Sequence, residues 1–438
     1  MQMENNKYYH SVTLDRDRCR GCINCIKRCP TEAIRVRNSK AKIIKERCID
    51  CGECIRVCPH FAKKVVTDDF HMIEDYEYKV AMPAPTLYGQ FKGVTDVNIV
   101  LTGLLEIGFD KVYEVAKAAE LVTLATREYM DKNKTVRPLI NSACPAVVRL
   151  IKVRFPSLID NILPILAPVE LAAILARHEA VKETGLPPEK IGIFFITPCA
   201  AKVTNIKNPI GFHNKLIDGA LSMSEIHKRL IPVIKKIKEP KKLSVVYNRG
   251  VNWASSGGES LGLKTPKYVA VDGINNVIQL LEDLEDEKLE DVEFIEALAC
   301  TGGCVGGPLT VENNFVSKKR VRDIANSRDE KEWGFHIDYN DILWDGEVEY
   351  DPILNLDPEV EVAIEKMQEM NRILKNLPGL DCGSCGAPSC KALAEDIVRG
   401  FGSEQDCIFT MRERVKILAK EMIELEEHMP PPFRSEEK

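Results

Sequence analysis

Two cysteines separated by three residues stand in Glu296-Ala-Leu-Ala-Cys300-Thr-Gly-Gly-Cys304-Val-Gly-Gly-Pro308, beside four glycines. Glycine removes side-chain bulk, so a large inorganic body can approach the backbone there. Two further stretches, Asn141-Ser-Ala-Cys144-Pro145 and Thr197-Pro198-Cys199-Ala-Ala-Lys202, raise the set to four cysteines from three distant places. Four thiolates are enough to close one iron–sulfur cubane.

The remaining twelve cysteines fall into two groups. Cys19, Cys22, Cys25 and Cys29-Pro30, then Cys48, Cys51, Cys54 and Cys58-Pro59, repeat the spacing Cys-x2-Cys-x2-Cys-x3-Cys-Pro. In this two-cluster ferredoxin run the fourth cysteine of each repeat ligates the other cluster. One 4Fe–4S cluster is therefore expected on Cys19, Cys22, Cys25 and Cys58, and a second on Cys48, Cys51, Cys54 and Cys29. Near the other end, Cys382, Cys385, Cys390 and Cys407 sit on a Gly-rich loop and a helix, which reads as one more 4Fe–4S site, with structural zinc as the alternative. All sixteen cysteines thus divide into four sites of four, and the implied task is electron relay.

Elements that position the central four follow from periodicity. Tyr78 to Pro85 reads as a short strand stopped by proline, Asn98 to Ile107 and Val112 to Tyr129 as helices, and Arg137 to Asn141 as extended. Pro145 opens a helix, Pro168 to Lys182 is another, and Lys190 to Thr197, Leu243 to Tyr247, Tyr268 to Val271 and Asp291 to Leu298 have strand character. The alternation predicts an α/β domain with a largely parallel sheet, following an α+β ferredoxin-like unit. Each central cysteine falls just past a strand, where open α/β sheets collect ligands.

The expected domains are residues 1–77 with two 4Fe–4S clusters, 78–357 with the central site, and a small helical 4Fe–4S domain over 358–438. Trp333 and Trp344 read as small-core anchors. Helix Pro358 to Leu377 leads into the last cysteine group. Beyond it Val415, Leu418, Met422 and Leu425 form a helical stripe expected to pack on its own domain, a partner helix being the alternative, and the last ten residues are expected to be disordered.

With 438 residues and 45% apolar content the chain can bury more than one core. A net charge of −6 argues against nucleic acid as a partner, and the acidic run Glu282 to Glu287 reads as solvated surface. Met1 to Asn6 lacks a basic-then-apolar leader, and Asn161 to Ala176 is broken by prolines and Glu170, so no membrane association and a cytoplasmic location are expected. Sixteen cysteines in that reducing compartment favour metal over disulfides.

These motifs, in this order, resemble the FeFe hydrogenases from Tyr78 to about Pro308, together with the ferredoxin unit. Ser142-Ala143-Cys144-Pro145 resembles the family's Thr-Ser-Cys-Cys-Pro, Thr197-Pro198-Cys199-Ala-Ala-Lys202 its Met-Pro-Cys-x-x-Lys, and Glu296-Ala-Leu298-Ala-Cys300-Thr-Gly-Gly303-Cys304 its Glu-x-Met-x-Cys-x-x-Gly-Cys. The resemblance implies a two-lobed hydrogenase domain with mainly parallel sheets. It implies an H-cluster whose cubane is bound by Cys144, Cys199, Cys300 and Cys304, with Cys304 bridging to a di-iron subsite carrying CO, cyanide and a dithiolate bridge. Lys202 would donate to one cyanide, and Pro83, Ala84 and Gly303 would line the subsite.

The chain departs from that pattern where protons move. Ala143 replaces the cysteine beside the cubane ligand, Thr126 and Tyr129 stand where two relay glutamates are usual, and Asn205 replaces an acid. Thr197 and Leu298 take the places of two methionines. A missing relay is worth roughly 10²–10⁴-fold in rate, so slow, reversible H2 splitting is expected. Together with the extra cysteine group this resembles the sensory branch of the family, with H2 and protons as substrates, maturation proteins, an unidentified redox or signalling partner and a homodimer as implied associates. Two alternatives remain: a metabolic hydrogenase drawing protons through Glu128 or Glu296, and a non-catalytic iron–sulfur electron-transfer or assembly protein.

Overall fold

The structure is a computed structural model that describes residues 9–331 and 337–428. Trp333 and the last ten residues lie outside the described residues. The chain forms two compact units. The larger holds residues 1–13, 48–56 and 63–351; the smaller holds 14–47, 57–62 and 352–438. This differs from a linear division at 77 and 357, because the cysteine-rich N-terminal run contributes segments to both units.

In the larger unit, strand Ile191–Thr197 is buried over all seven residues. Such a continuous apolar run suits a parallel strand covered on both faces. It lies in a four-stranded parallel sheet in the order Lys111–Val112, Tyr78–Pro83, Ile191–Thr197, Gly219–Ser222. A second parallel sheet runs Tyr268–Asp272, Phe294–Leu298, Leu139–Ile140. Mixed α/β architecture with mainly parallel sheets is therefore the fold. Helix Pro168–Thr184 packs on the first sheet, and helix Val115–Lys132 packs on that helix, with Leu121, Leu171 and Ala176 in the shared core. Trp344 packs against both apolar cores of this unit.

Leu243 to Tyr247 forms no strand. Its backbone donors are taken by side chains instead: Leu243 and Ser244 N–H donate to Asn98 Oδ1, Val245 N–H to Glu114 Oε2 and Tyr247 N–H to Glu120 Oε1. Two buried carboxylates, Glu114 at the N-cap of helix Val115–Lys132 and Glu120 within it, thus hold a segment that periodicity assigns to a sheet.

The smaller unit is built on an antiparallel hairpin, Ile34–Arg37 with Lys40–Ile43. Helices Val360–Asn376 and Cys390–Val398 close over Met370, Ile373, Leu377 and Leu393. The hairpin edge is capped by the cysteine loop, since Val36 N–H donates to Gly386 O at 2.8 Å. Arg35 and Arg37 both reach Asp396, at 2.7 and 2.8 Å, and Arg47 pairs with Glu395.

Helix Ile408–Glu427 leaves this small core uncovered by its own stripe. From Met411 to Glu426 every residue is exposed, because helices 360–376 and 390–398 already fill the core. The expected packing of Val415, Leu418, Met422 and Leu425 on their own domain does not occur.

Candidate metal centre

The carboxyl ends of both parallel sheets in the larger unit converge on one apolar cavity. Strand 78–83 delivers Ala84 and Pro85, strand 191–197 delivers Pro198 and Cys199, strand 294–298 delivers Leu298 and Cys300, and strand 139–140 leads to Ala143 and Cys144. The cavity measures about 100 Å³, and Lys202, Gly303 and Cys304 complete the wall named from sequence. All four central cysteines therefore face one space. Cys304 has an exposed surface, but that surface lies inside the cavity rather than in bulk water.

Backbone turns place these thiols. Cys144 and Cys199 each stand immediately before a helix, Pro145–Arg154 and Ala200–Lys207. Cys300 and Cys304 lie on a tight loop in which Gly303 takes φ +93°. A Cβ on Gly303 would sit 2.5 Å from Ser256 N, and one on Gly307 2.3 Å from Pro198 O. Glycine is required at both positions by neighbouring backbone, which corrects the simpler expectation that the glycines clear space for the bound group.

The donor set fits an iron–sulfur body. Cys144 accepts the N–H groups of Ala299 and Val147, and Cys199 that of Lys202, the pattern that supports cluster thiolates. Without a cation between them the thiols oppose one another. Burial first, then Cys300 and Cys144, push Cys199 up to about 12, and burial followed by the three other cysteines raises Cys304 well above the usual thiol value. Thiols raised in this way need a metal to ionise together. The N-terminal cysteines show similar support: Ala33 N–H reaches Cys29 Sγ at 3.2 Å, Ala41 N–H Cys19 Sγ at 3.4 Å and Ala62 N–H Cys58 Sγ at 3.3 Å. In the last cysteine group Cys382 is held below the usual thiol value by Ser384, whereas burial raises Cys385.

Two residues named from sequence stand elsewhere. Pro83 ends its strand, buried, and it is Ala84 and Pro85 that line the cavity, a shift of one. Thr197 is buried, and its Oγ1 accepts the Cys199 N–H at 3.1 Å, so the residue braces the cysteine turn instead of lining the cavity. Thr126 is buried on helix 115–132, whereas Glu128 pairs with Lys132.

Sequence reasoning passed over several side chains. Glu170 is buried and meets both Lys202 Nζ, at 3.5 Å, and Asn205 Nδ2, at 3.3 Å. Glu259 is buried beside Glu296. Burial and then the Glu296 charge raise Glu259 well above the carboxylate range, and its Oε2 accepts Asn141 Nδ2 at 2.9 Å. Glu296 accepts Gly257 N–H and Ser260 N–H at 2.9 Å and the Ser260 hydroxyl at 2.8 Å. Burial raises Glu296 as well, offset in part by its Ser260 and Gly257 hydrogen bonds, and the pair is tied through Asn141 to the strand end that carries Ala143 and Cys144. Arg56 donates to Cys300 and, at 3.2 Å, to Cys51 O, and half-buried Arg149 stands near Cys199 and Cys48. Glu296 alone among these was named from sequence, by its place in the Cys300 motif and as a proton route in one alternative; the others depend on tertiary approach.

No helix among the described residues is long and apolar enough to cross a membrane. Residues 11–59 match a 4Fe-4S dicluster domain and 377–409 a family described as an Fe-S cluster. The chain is 23% identical over 309 residues to Iron hydrogenase 1 of Clostridium pasteurianum, covering 58% of this chain and 54% of that protein, so it spans about half the relative's length. Against the periplasmic Fe hydrogenase large subunit of Nitratidesulfovibrio vulgaris it is 23% identical over 361 residues, covering 68% and 86%. A solved FeFe-hydrogenase structure from Chlamydomonas reinhardtii aligns at 15% identity and TM-score 0.46, covering 60% of this chain and 87% of that one. Residues 77–260 and 228–308 match the iron only hydrogenase large subunit, C-terminal domain, and this span exceeds half of the 438 residues. The cysteine-lined cavity thus belongs to an iron–sulfur protein of the iron-only hydrogenase family.

Proposed function

We propose that this protein is a sensory or regulatory FeFe hydrogenase that binds H2 and splits it slowly and reversibly. The observation that carries the reading is the cavity wall itself. It gathers Cys144, Cys199, Cys300, Cys304 and Lys202, yet puts Ala143 where a proton-bearing side chain would serve. An H-cluster held there, a cubane joined to a di-iron subsite with CO, cyanide and a dithiolate bridge, supplies the heterolytic H2 chemistry when bound.

The protein's own groups do the rest. Cys144, Cys199, Cys300 and Cys304 would hold the cubane, and Cys304 would also serve the subsite. Lys202 offers N–H donors to a cyanide, and its Glu170 partner orients it. Ala84, Leu298 and Gly303 keep the space apolar and water-poor. Nothing at Thr126, Tyr129 or Asn205 can exchange a proton readily near neutral pH. The proton store that remains is the Glu259–Glu296 pair, in which burial favours the protonated form of Glu259 and three hydrogen bonds fix Glu296. Arg56 links Cys300 to the Cys48–Cys54 turn in the same unit, and a cluster held by that turn would supply the exit for electrons. Four 4Fe–4S clusters, including the cubane, are the full complement in this reading, and the site of action is cytoplasmic.

Hydrogen evolution assayed at equal cluster loading against a relay-bearing relative tests the reading. A rate lower by roughly 10²-fold or more supports it, and comparable rates contradict the slow form. A second reading, a non-catalytic electron-transfer or assembly protein, draws on Lys202 being engaged with Glu170. It requires cubane iron without CO or cyanide vibrations after maturation.

A further inference from the structure

Helix Ile408–Glu427 carries an apolar stripe that its own unit leaves bare. Ile408, Met411, Val415, Leu418, Met422 and Leu425 follow one another at intervals of three, four, three, four and three residues, and each is between 43% and 70% exposed. That spacing keeps one seam straight along a supercoiling helix pair. Scattered exposed apolar residues are ordinary on a protein surface, but an uninterrupted seam of six is the pattern of a helix that has a partner.

The charges beside the seam identify the partner. Arg412, Arg414, Lys416 and Lys420 lie in the first two-thirds of the helix, and Glu421, Glu424 and Glu426 follow them. Lys416 and Lys420 are engaged along the helix with Glu413 and Glu424. Arg414 and Glu421, seven residues apart on one flank of the seam, form no salt bridge among the described residues. We propose that this helix pairs antiparallel with the same helix of a second copy of this chain.

In that arrangement Val415 packs against the partner's Leu418, and Arg414 meets the partner's Glu421. The two-fold axis repeats both contacts. A parallel pair would instead set Glu421 against the partner's Glu426, a like-charge contact. Antiparallel packing also opposes the two helix dipoles. Twelve apolar side chains at roughly 80–100 Å² each bring the buried area to about 1,000 Å², near the lower bound for a specific interface. The pairing is therefore expected to be reversible. It holds the two Cys407 residues about 28 Å apart along the helix axes, because each stands opposite the far end of the other helix.

The test is sedimentation equilibrium on the full chain with its clusters reconstituted anaerobically, up to about 100 μM. The parent is expected to dimerise. Val415→Asp with Leu418→Asp is expected to be monomeric with unchanged cluster absorbance and helical circular dichroism, since neither side chain touches the unit's core. Glu421→Lys is expected to weaken the dimer at least tenfold, and Arg414→Glu combined with Glu421→Lys to restore it. A parent that stays monomeric throughout, or a dimer indifferent to the Val415 and Leu418 changes, overturns the proposal. Tightening by Glu421→Lys overturns the antiparallel arrangement, because that change converts the parallel clash into an attraction.

Discussion

Lys202 Nζ lies 3.5 Å from Glu170 Oε1, with the two side chains 13% and 3% exposed, and Asn205 donates to the same oxygen at 3.3 Å. Asparagine at position 205 therefore has a structural use: an acid there would face Glu170 and repel it. The pair fixes the ammonium at the cavity wall.

Removing one partner of such a pair leaves the other charge buried alone, which costs about 3–5 kcal/mol. Lys202→Met is expected to lower the unfolding free energy by about 3 kcal/mol, and adding Glu170→Gln to recover more than half of it. Anaerobic urea unfolding of the cluster-loaded protein measures both. Equal losses in the single and double variants would show that the two side chains act independently.

The Glu259–Glu296 pair gives a pH signature. Glu259 has a folded pKa raised above its unfolded value, so its stability contribution is complete below the unfolded carboxylate range. It is lost as pH rises from there through the folded pKa. Glu259→Gln, an isostere of the protonated form, is expected to match the parent near pH 5 and to exceed it in thermal stability at about pH 8. The same substitution removes an exchangeable proton, and hydrogen turnover is expected to fall by roughly 10²-fold. Unchanged turnover would exclude the pair from proton transfer.

Arg56 places a positive charge and a hydrogen bond on Cys300. Arg56→Leu is expected to make the central cubane harder to reduce, by about 60 mV if the charge-assisted bond is worth tenfold in the one-electron equilibrium. Redox titration by electron paramagnetic resonance, on protein carrying cubanes without the di-iron subsite, reads this directly. A shift toward positive potential would contradict it.

Asp396 pairs with both Arg35 and Arg37 within the smaller unit. Asp396→Ala is expected to destabilise that unit by about 3 kcal/mol and to expose 352–428 to limited proteolysis before the larger unit is cut. Proteolysis in the parent order would show that the pairs are dispensable.

The cysteine groups were legible in the chain because cluster motifs use short covalent spacings, and the strands before Cys144, Cys199 and Cys300 because parallel strands read as apolar runs. Leu243 to Tyr247 was misread for the same reason: its apolar residues satisfy strand periodicity, but Asn98, Glu114 and Glu120 capture its backbone donors. Thr197 was placed at the subsite by analogy with a methionine, whereas its hydroxyl bonds within its own turn. Glu170, Glu259 and Arg56 left no local pattern, since each acts only across elements distant in sequence. The helix 408–427 stripe was visible, but whether its partner lay within the chain depended on how full the small core already was.

The central claim rests on an H-cluster that responds to hydrogen. Infrared spectra of protein matured anaerobically with the di-iron precursor, before and after exposure to H2, test it most directly. The account predicts CO and cyanide bands that shift under H2. Absence of those bands, with cysteine-bound iron complete, would contradict it and leave an electron-transfer or assembly protein.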